Sequence, residues 1–568
     1  MNWRGTGNGG PGYGRVRGLM GRILGVVALL ALLIVPSFVV PSGVRAAGWE
    51  NAGTLPGDYS LSPQVVLLAD GRVLAAAKAD SAVSSRGDNS WTAITPRKYD
   101  VGGGRLLALQ DGSALLIGGS PSTFANNPYA PTRQVVRFDP STATWITKKD
   151  MPDSRGGHTL TTLGDGTVLV VGGSGGSLSP RQPVETVAKV ARYDPATDSW
   201  SALAPLAQGR YGHSATLLAD GRVLVVGGAF SKTVNSENVG SEALNSAELY
   251  NPATNTWQTV APLSRTRSGH KATLLLDGTV LVIGGDSGTG STTAERYNPQ
   301  TNTWTSAATL GAYRVGFAAT QLLGGDVLVT GGAGTDQKPL SATMRYDWQN
   351  NSWQPFASLA TPRVYHGAIL VNGQVLAIGG LGTAAQSTAE RYDVTPVGTV
   401  CYEDTGRCLG GTFLAYWQGH GQLPINGYPL SNPFPEQLED GKIYLVQYFE
   451  RVRMEAHPEK PAPFDILLGQ FGRRIHPADP GVSPQTGARY FELTGHNLSG
   501  GFLTYWDANG GVTQFGYPLS EVITETLEDG KPYQVQYFER ARFEYHPENA
   551  APYDVLLGQF GRKILAGR

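Results

Sequence analysis

Short apolar segments separated by tight turns recur along most of the chain. Seven units share one order: an apolar strand, a two-residue turn, a second apolar strand and a closing dipeptide. The turns are Asp70-Gly71, Asp111-Gly112, Asp165-Gly166, Asp220-Gly221, Asp277-Gly278, Gly324-Gly325 and Asn372-Gly373. Asp-Gly and Asn-Gly favour two-residue hairpins because both turn positions need a positive φ. The second strands, such as residues 223–226 and 280–283, are continuous apolar runs, as expected of strands buried on both faces.

The closing dipeptide is a glycine pair in all units but the first, which has Ala77-Lys78. The pairs are Gly118-Gly119, Gly172-Gly173, Gly227-Gly228, Gly284-Gly285, Gly331-Gly332 and Gly379-Gly380. A second hairpin is predicted after each pair, because an aromatic residue and a tryptophan then stand seven residues apart: Phe138/Trp145, Tyr193/Trp200, Tyr250/Trp257, Tyr297/Trp304 and Tyr346/Trp353. Four antiparallel strands per unit, repeating every 41 to 57 residues, predict the blades of a β-propeller.

These repeats resemble the kelch repeat, whose signature is a glycine pair followed by a tyrosine and a tryptophan. The resemblance implies an all-β, seven-bladed, kelch-type β-propeller over residues 48–395. The last unit has Tyr392 but Thr399 in place of its tryptophan, while Trp49 stands in an orphan segment at the start. We therefore expect the Trp49 strand to complete the last blade, which would leave no unpaired sheet edge at the seam.

Two further modules follow, at residues 401–475 and 490–564, with a linker over 476–489. Their motifs are offset by 89 positions; Tyr416-Trp417 returns as Tyr505-Trp506, and Gln447–Arg451 as Gln536–Arg540. We predict a small α+β fold with a helix carrying Tyr-Trp, a hairpin through Tyr-Phe-Glu-Arg, and a last helix carrying Asp-x-Leu-Leu-Gly.

The modules are similar to the LGFP-type repeats of secreted bacterial proteins, which implies a binding module associated with the cell envelope. They depart from the motif at its leading leucine, which is Asn426 in one copy and Phe515 in the other. The alternative is that the aromatic residues only fill the core of a small domain.

The first 46 residues have the pattern of a secretory signal peptide. Four arginines precede an apolar run from residue 23 to 35, and Val44-Arg45-Ala46 fits a small-x-small cleavage site. The alternative is an uncleaved anchor, but we expect no stable membrane span after cleavage. The formal net charge of −1 argues against a nucleic-acid partner, because such a chain lacks a broad positive field.

The only two cysteines, Cys401 and Cys408, lie in the first module. In an exported chain a close pair suggests a disulfide; a redox or metal site is the alternative. The second copy has Tyr490 and Asn497 at these positions, which favours a structural bond.

The sequence carries no recognisable catalytic motif, and we predict no cofactor and no metal. A copper oxidase resembling galactose oxidase needs a cysteine within the propeller, and both cysteines lie downstream of it. The histidines His158, His213, His270 and His366 recur once per unit, which suggests a structural role.

An arginine precedes the first strand of six units: Arg97, Arg155, Arg210, Arg267, Arg314 and Arg363. We predict either a ligand-binding ring or struts between blades. The loops after the glycine pairs are long around residues 120–132, 174–186 and 229–245, and long loops on a rigid scaffold often bind ligands.

The expected function is recognition of an extracellular glycan or protein, such as a cell-wall polymer, by a secreted or surface-associated protein. The alternatives are a carbohydrate-active enzyme, oxidase-like or mutarotase-like, and a purely structural component.

Overall fold

The computed structural model describes residues 48–60, 62–86, 89–94, 104–119, 131–175, 185–234, 237–285, 292–382 and 386–566. The predicted signal peptide over residues 1–46 and the predicted site residue Arg97 lie outside these ranges. Residues from Ala46 to Arg568 form a single compact unit.

Seven four-stranded antiparallel sheets are formed by the described residues between Glu50 and Asp393. The strands are β1 Glu50–Thr54, β2 Gln64–Leu67, β3 Val73–Ala77, β4 Asp80–Ser84, β5 Trp91–Ala93, β6 Arg105–Ala108, β7 Ala114–Ile117, β8 Val135–Asp139, β9 Thr144–Thr147, β10 Thr159–Thr162, β11 Val168–Val171, β12 Ser174–Gly175, β13 Glu185–Thr186, β14 Val190–Asp194, β15 Ser199–Leu203, β16 Ser214–Leu217, β17 Val223–Val226, β18 Ala229–Val234, β19 Glu237–Ala243, β20 Ala247–Asn251, β21 Thr256–Val260, β22 Lys271–Leu274, β23 Val280–Ile283, β24 Ala294–Asn298, β25 Thr303–Ala307, β26 Ala318–Gln321, β27 Val327–Thr330, β28 Thr343–Asp347, β29 Ser352–Phe356, β30 Gly367–Val371, β31 Gln374–Ile378 and β32 Thr388–Asp393.

The sheets are consecutive along the chain, which makes this part of the molecule a β-propeller. In chain order they are β2-β3-β4-β5, β6-β7-β8-β9, β10-β11-β14-β15, β16-β17-β20-β21, β22-β23-β24-β25, β26-β27-β28-β29 and β30-β31-β32-β1. The first strand of each of these sheets is the innermost one. These innermost strands contact one another in the same order, and β30 contacts β2. This cyclic order places the sheets around a common axis.

The second strand of each sheet forms the core, as its apolar pattern predicts. Every residue of β17 and β23 is fully buried. The predicted aromatic pairs also pack together; the ring centroids of Tyr250 and Trp257 lie 4.9 Å apart.

The first strand of the chain completes the last sheet. Strand β1 pairs antiparallel with β32, with Glu50 opposite Arg391. Trp49 packs on Tyr392 at 5.7 Å between ring centroids and donates a 2.7 Å hydrogen bond from Nε1 to the Ala357 carbonyl oxygen. Trp353 makes the same bond to Ala308 in the preceding sheet, at 2.8 Å. Trp49 thus occupies the tryptophan position that is missing after Tyr392.

We expect Trp49→Ala to lower the free energy of unfolding by about 3–5 kcal/mol, because a buried indole and its hydrogen bond are lost at the closing sheet. Chemical denaturation followed by circular dichroism measures this. Tyr553→Ala, at a side chain that is 68% exposed, is the control. A loss equal to that of the control would show that the seam does not depend on Trp49.

The C-terminal copies each contain a two-stranded hairpin, helices and a four-stranded sheet. The elements of the first are β33 Val400–Tyr402, β34 Arg407–Leu409, α1 Gly411–Gly419, α2 Gln422–Asn426, β35 Phe434–Gln437, β36 Ile443–Tyr448, β37 Arg453–Ala456, β38 Ile466–Leu468 and α3 Phe471–Ile475. Those of the second are β39 Arg489–Phe491, β40 His496–Leu498, α4 Gly500–Ala508, α5 Gly511–Phe515, β41 Ile523–Thr526, β42 Pro532–Tyr537, β43 Arg542–Tyr545, β44 Val555–Leu557 and α6 Phe560–Ala566.

The helix predicted for the Asp-x-Leu-Leu-Gly motif is wrong in both copies. Residues Ile466–Leu468 form a strand that pairs with β37, and helix α3 begins only at Phe471. The alternating burial of Ile466 and Leu468 against a partner strand outweighs the local helical preference of the leucines.

The two copies contact each other reciprocally. The Arg473 main-chain nitrogen donates to the Glu539 carbonyl oxygen at 3.2 Å, and the Arg562 nitrogen donates to the Glu450 carbonyl oxygen at 3.0 Å. Arg562 also forms an ion pair with Glu450 at 2.6 Å, and Arg473 forms the equivalent pair with Glu539. Since each copy supplies the same two elements to the other, the pair packs with approximate twofold symmetry.

The first copy packs on the propeller face that carries the turns between the first and second strands of each sheet, here called the turn face. The Asn372 nitrogen donates to the Gly406 carbonyl oxygen at 2.9 Å, and the Gln437 nitrogen donates to the Ala219 carbonyl oxygen at 2.8 Å. Asn372 and Ala219 lie in or beside turns of different sheets. The first copy therefore extends across the turn face.

Candidate functional site: the loop face of the propeller

The opposite face, here called the loop face, carries the glycine pairs and the arginines that precede each innermost strand. Arg267 shows how they are connected. Its main-chain oxygen accepts a 2.7 Å hydrogen bond from the Gly228 nitrogen, while its Nη1 donates to the Gly284 carbonyl oxygen at 2.7 Å. Gly228 and Gly284 belong to neighbouring sheets. Arg267 therefore joins two sheets through their glycine pairs.

This contact requires the first glycine of four pairs, namely Gly118, Gly172, Gly227 and Gly331. Gly227 has a φ of +58°, and a Cβ placed on it would lie 2.5 Å from the Arg267 carbonyl oxygen. The recurring glycines thus allow close approach of two backbones.

The described arginines of the predicted ring are all buried, with 0 to 3% of each residue exposed: Arg155, Arg210, Arg267, Arg314 and Arg363. Each donates from Nη1 to the carbonyl oxygen of a glycine pair, at 2.7 to 3.4 Å. This geometry favours the strut interpretation. Ligand contact by these arginines, and by Arg97, stays a prediction.

Three of these arginines pair with buried glutamates that the sequence reasoning missed. The ion pairs are Arg210–Glu248 at 2.6 Å, Arg267–Glu295 at 3.0 Å and Arg363–Glu390 at 2.8 Å. The signal was available, because Ala-Glu-x-Tyr recurs at residues 247–250, 294–297 and 389–392. By strand register, Ala191 and Met344 take the glutamate position in two other sheets.

The recurring histidines pack beside the glycine pairs and are buried. His213 Nε2 lies 3.0 Å from Thr159 Oγ1, and His270 Nε2 lies 2.8 Å from Ser214 Oγ. Burial, with the charge of a neighbouring arginine, lowers the pKa of His158, His270 and His366 to about 3 and that of His213 well below its usual value. Neutral, enclosed imidazoles, three of them bonded to a hydroxyl group, favour the structural role that their spacing suggested.

A set of residues with different chemistry begins the innermost strands at the loop-face end of the axis. In sheet order these residues are Gln64, Arg105, Thr159, Ser214, Lys271, Ala318 and Gly367. Arg105 donates from Nε to the His158 carbonyl oxygen at 2.9 Å. Lys271 is exposed, yet its pKa is lowered by surrounding protein and by the charge of Arg105. Sequence reasoning missed this ring, although five of its members stand four residues after a recurring arginine.

Two-stranded hairpins extend the loop face beyond the blades. Strands β12 and β13 pair after the third sheet's glycine pair, and β18 and β19 pair after the fourth's. The Ser231 nitrogen donates to Thr186 Oγ1 at 2.7 Å, which links the two hairpins. Two of the three long loops predicted from the sequence thus contain additional strand structure.

Cys401 and Cys408 are joined by a disulfide between β33 and β34. Across the described ranges, no group of three or more His, Cys, Asp or Glu side chains is placed to hold a metal ion.

No helix among the described residues is both long and apolar enough to cross a membrane.

The family model of the KLHDC2/KLHL20/DRC7 Kelch-repeats domain matches residues 103–332 and 157–380. Human Kelch-like protein 23 is 29% identical over 269 residues, covering 46% of this chain and 44% of the relative. Kelch-like protein 15 of Danio rerio is 24% identical over 281 residues, covering 48% and 38%. The chain spans less than half the length of each of these relatives.

Two solved structures are similar over the propeller. One, titled as a novel fungal alcohol oxidase of the AA5 family in complex with copper, has a TM-score of 0.47 at 17% identity, covering 62% of this chain and 80% of that one. The structure of YjhT has a TM-score of 0.42 at 15% identity, covering 53% and 99%. Taken with the matched family model, the recurring sheets and glycine pairs show that this chain contains kelch repeats.

Proposed function

We propose that this chain is a binding protein that recognises an extracellular glycan or protein through the loop face of a seven-bladed propeller. The observation that carries the proposal is the position of the first C-terminal copy, which contacts turns of several sheets on the opposite face. Among the described residues, the C-terminal copies leave the loop face of the axis uncovered, and we propose this face for the partner.

The division of roles within the loop face supports this proposal. The buried arginines, histidines and glycines join the sheets to one another, so they build a rigid platform. The hairpins β12–β13 and β18–β19 extend from that platform and differ from sheet to sheet in length. Variable loops on a rigid scaffold can change their ligand without loss of the fold.

We also propose that the protein acts outside the cytoplasm, at the cell envelope. An N-terminal signal peptide would export the chain, and the tandem copies, through their likeness to LGFP-type repeats, would associate it with the cell envelope. The reciprocal contacts between the copies support a single rigid attachment module in place of two independent ones.

The test is capture of purified cell wall, of an arrayed glycan library and of an arrayed set of extracellular proteins by the secreted chain. The loop variant Ser241→Trp, at an exposed position of the β18–β19 hairpin, should reduce capture at least tenfold, with the melting temperature unchanged. Leu493→Ala, at a side chain 74% exposed in the second copy, is the control for propeller binding. Equal capture by wild type and the loop variant would contradict recognition through this part of the loop face.

A further inference from the structure

The residues that begin the innermost strands carry an unbalanced positive charge. The seven positions hold one arginine, one lysine, three neutral polar residues and two small residues, and none holds a carboxylate. Arg105 and Lys271 belong to the second and fifth sheets of the ring. Both therefore stand at the same level of the axis, on strands separated by two intervening sheets.

Neither cation is neutralised by a described carboxylate. The side-chain ammonium of Lys271 makes no hydrogen bond or ion pair with any residue in the described ranges. Arg105 uses Nε for the His158 carbonyl oxygen, and its two terminal nitrogens have no partner among the same residues. By contrast, the buried arginines Arg210, Arg267 and Arg363 each have a glutamate. Two cations that no described carboxylate neutralises, at equivalent positions around one axis, form a favourable position for an anion.

The electrostatics agree with this arrangement. The pKa of Lys271 is lowered first by the protein that surrounds this position and second by the charge of Arg105, so the two positive charges act on each other. The pKa of Arg105 is lowered by burial. A bound anion would offset the mutual repulsion of the two cations, and its direct contacts would replace part of the hydration that they lose.

We propose that Arg105 and Lys271 bind a carboxylate group of the ligand at the loop-face end of the propeller axis. This inference rests on the proposed function and adds the chemical class of the ligand to it. The guanidinium offers two parallel donors to the two carboxylate oxygens, and the ammonium adds a mobile point charge. The hydroxyl groups of Thr159 and Ser214, on the strands between the two cations, are bonded to His213 and His270, so Arg105 and Lys271 are the proposed contacts.

The carboxylate can come from a uronic acid within a polysaccharide or from a free small acid. A polymer would contact the hairpins of the loop face as well, whereas a free acid would contact the ring alone. Titration calorimetry at low salt with galacturonate, with an oligogalacturonate and with galactose separates these sources. We expect both acids to bind and galactose to bind at least tenfold more weakly. If only the oligogalacturonate binds, the carboxylate belongs to a polymer. If galacturonate and the oligogalacturonate bind with equal affinity per carboxylate, the ligand is a free acid.

The decisive variant is Lys271→Gln, which removes the charge and keeps the length of the side chain. We expect it to weaken galacturonate or oligogalacturonate binding at least tenfold, and we expect Lys271→Arg to restore most of the affinity. Lys338→Gln is the matched control, because Lys338 follows the glycine pair of the sixth sheet and its side chain is 80% exposed. Arg105→Gln should weaken binding of the acid as Lys271→Gln does. If Arg105→Gln unfolds because its bond to the His158 carbonyl oxygen is lost, the affinity of Lys271→Gln alone tests the site.

Unchanged affinity in Lys271→Gln, or equal binding of galactose and galacturonate, would overturn the carboxylate site. Absence of wild-type binding to both galacturonate and the oligogalacturonate would overturn it as well. The carboxylate site can fail while the proposed function stands. If wild type and Lys271→Gln capture a neutral glycan or a protein equally well, loop-face recognition is retained and the carboxylate site is rejected. Affinity for the acid should also fall as salt rises from 20 to about 200 mM, because screening weakens partly exposed charges.

Discussion

Replacing Arg267 by alanine is expected to lower the free energy of unfolding by about 3–5 kcal/mol, the range found when one partner of a buried ion pair is removed. The substitution leaves the Glu295 carboxylate buried without its cation. It also removes the donors to the Gly284 and Thr293 carbonyl oxygens, which lie 2.7 and 3.0 Å from Nη1. Equilibrium unfolding in guanidinium chloride measures the loss.

The matched control is Glu295→Met, which copies the sixth sheet. There Met344 takes the glutamate position, and Arg314 donates to the Gly331 and Ala342 carbonyl oxygens. Glu295→Met should cost less, about 1–3 kcal/mol, chiefly because the Ser264 nitrogen loses its 2.8 Å acceptor. A larger loss for Glu295→Met than for Arg267→Ala would show that the arginine is not the main link between these sheets.

The second large effect is acid destabilisation through the buried histidines. Their pKa values in the folded protein are depressed to about 3 for three of them and lie well below normal for His213. Below about pH 6.5, the unfolded chain binds protons that the folded chain excludes. Stability is therefore complete above that pH and falls between about 6.5 and 3, by up to about 1.4 kcal/mol per pH unit for each histidine.

Unfolding free energies at pH 7.5, 6 and 5 test this slope. A phenylalanine already occupies this position in another sheet. Phe317 packs beside Gly332 as His270 packs beside Gly285, so His270→Phe is a suitable variant. His270→Phe should reduce the slope by up to about 1.4 kcal/mol per pH unit. An identical slope in this variant would mean that other groups cause the acid sensitivity.

Most of the propeller could be predicted because its local signals repeat in register. The Asp-Gly turns and apolar runs predicted the hairpins, and the absence of a tryptophan after Tyr392 predicted the partner of Trp49. The short run at residues 466–468 was misjudged, because three residues do not distinguish a helix from a strand.

The loop face was harder to predict, because an arginine before a strand has the same sequence whether it is buried or exposed. The distinction for Arg267 depends on Glu295, which lies 28 residues away and becomes adjacent only in the folded sheet. The position of the first C-terminal copy on the turn face had no signal, since its bonds to Ala219 and Asn372 use main-chain atoms.

The pairing of β1 with β32 also has a consequence for how the molecule is made. Glu50 and Arg391 meet across 341 residues of chain, so this strand leaves the ribosome long before its partner exists. Until translation reaches β32, β1 has no partner and the growing array keeps an open edge, which is a site for wrongly paired assembly. Folding should accordingly end with one slow, long-range step, and nascent chains truncated before residue 388 should aggregate more readily than the complete protein.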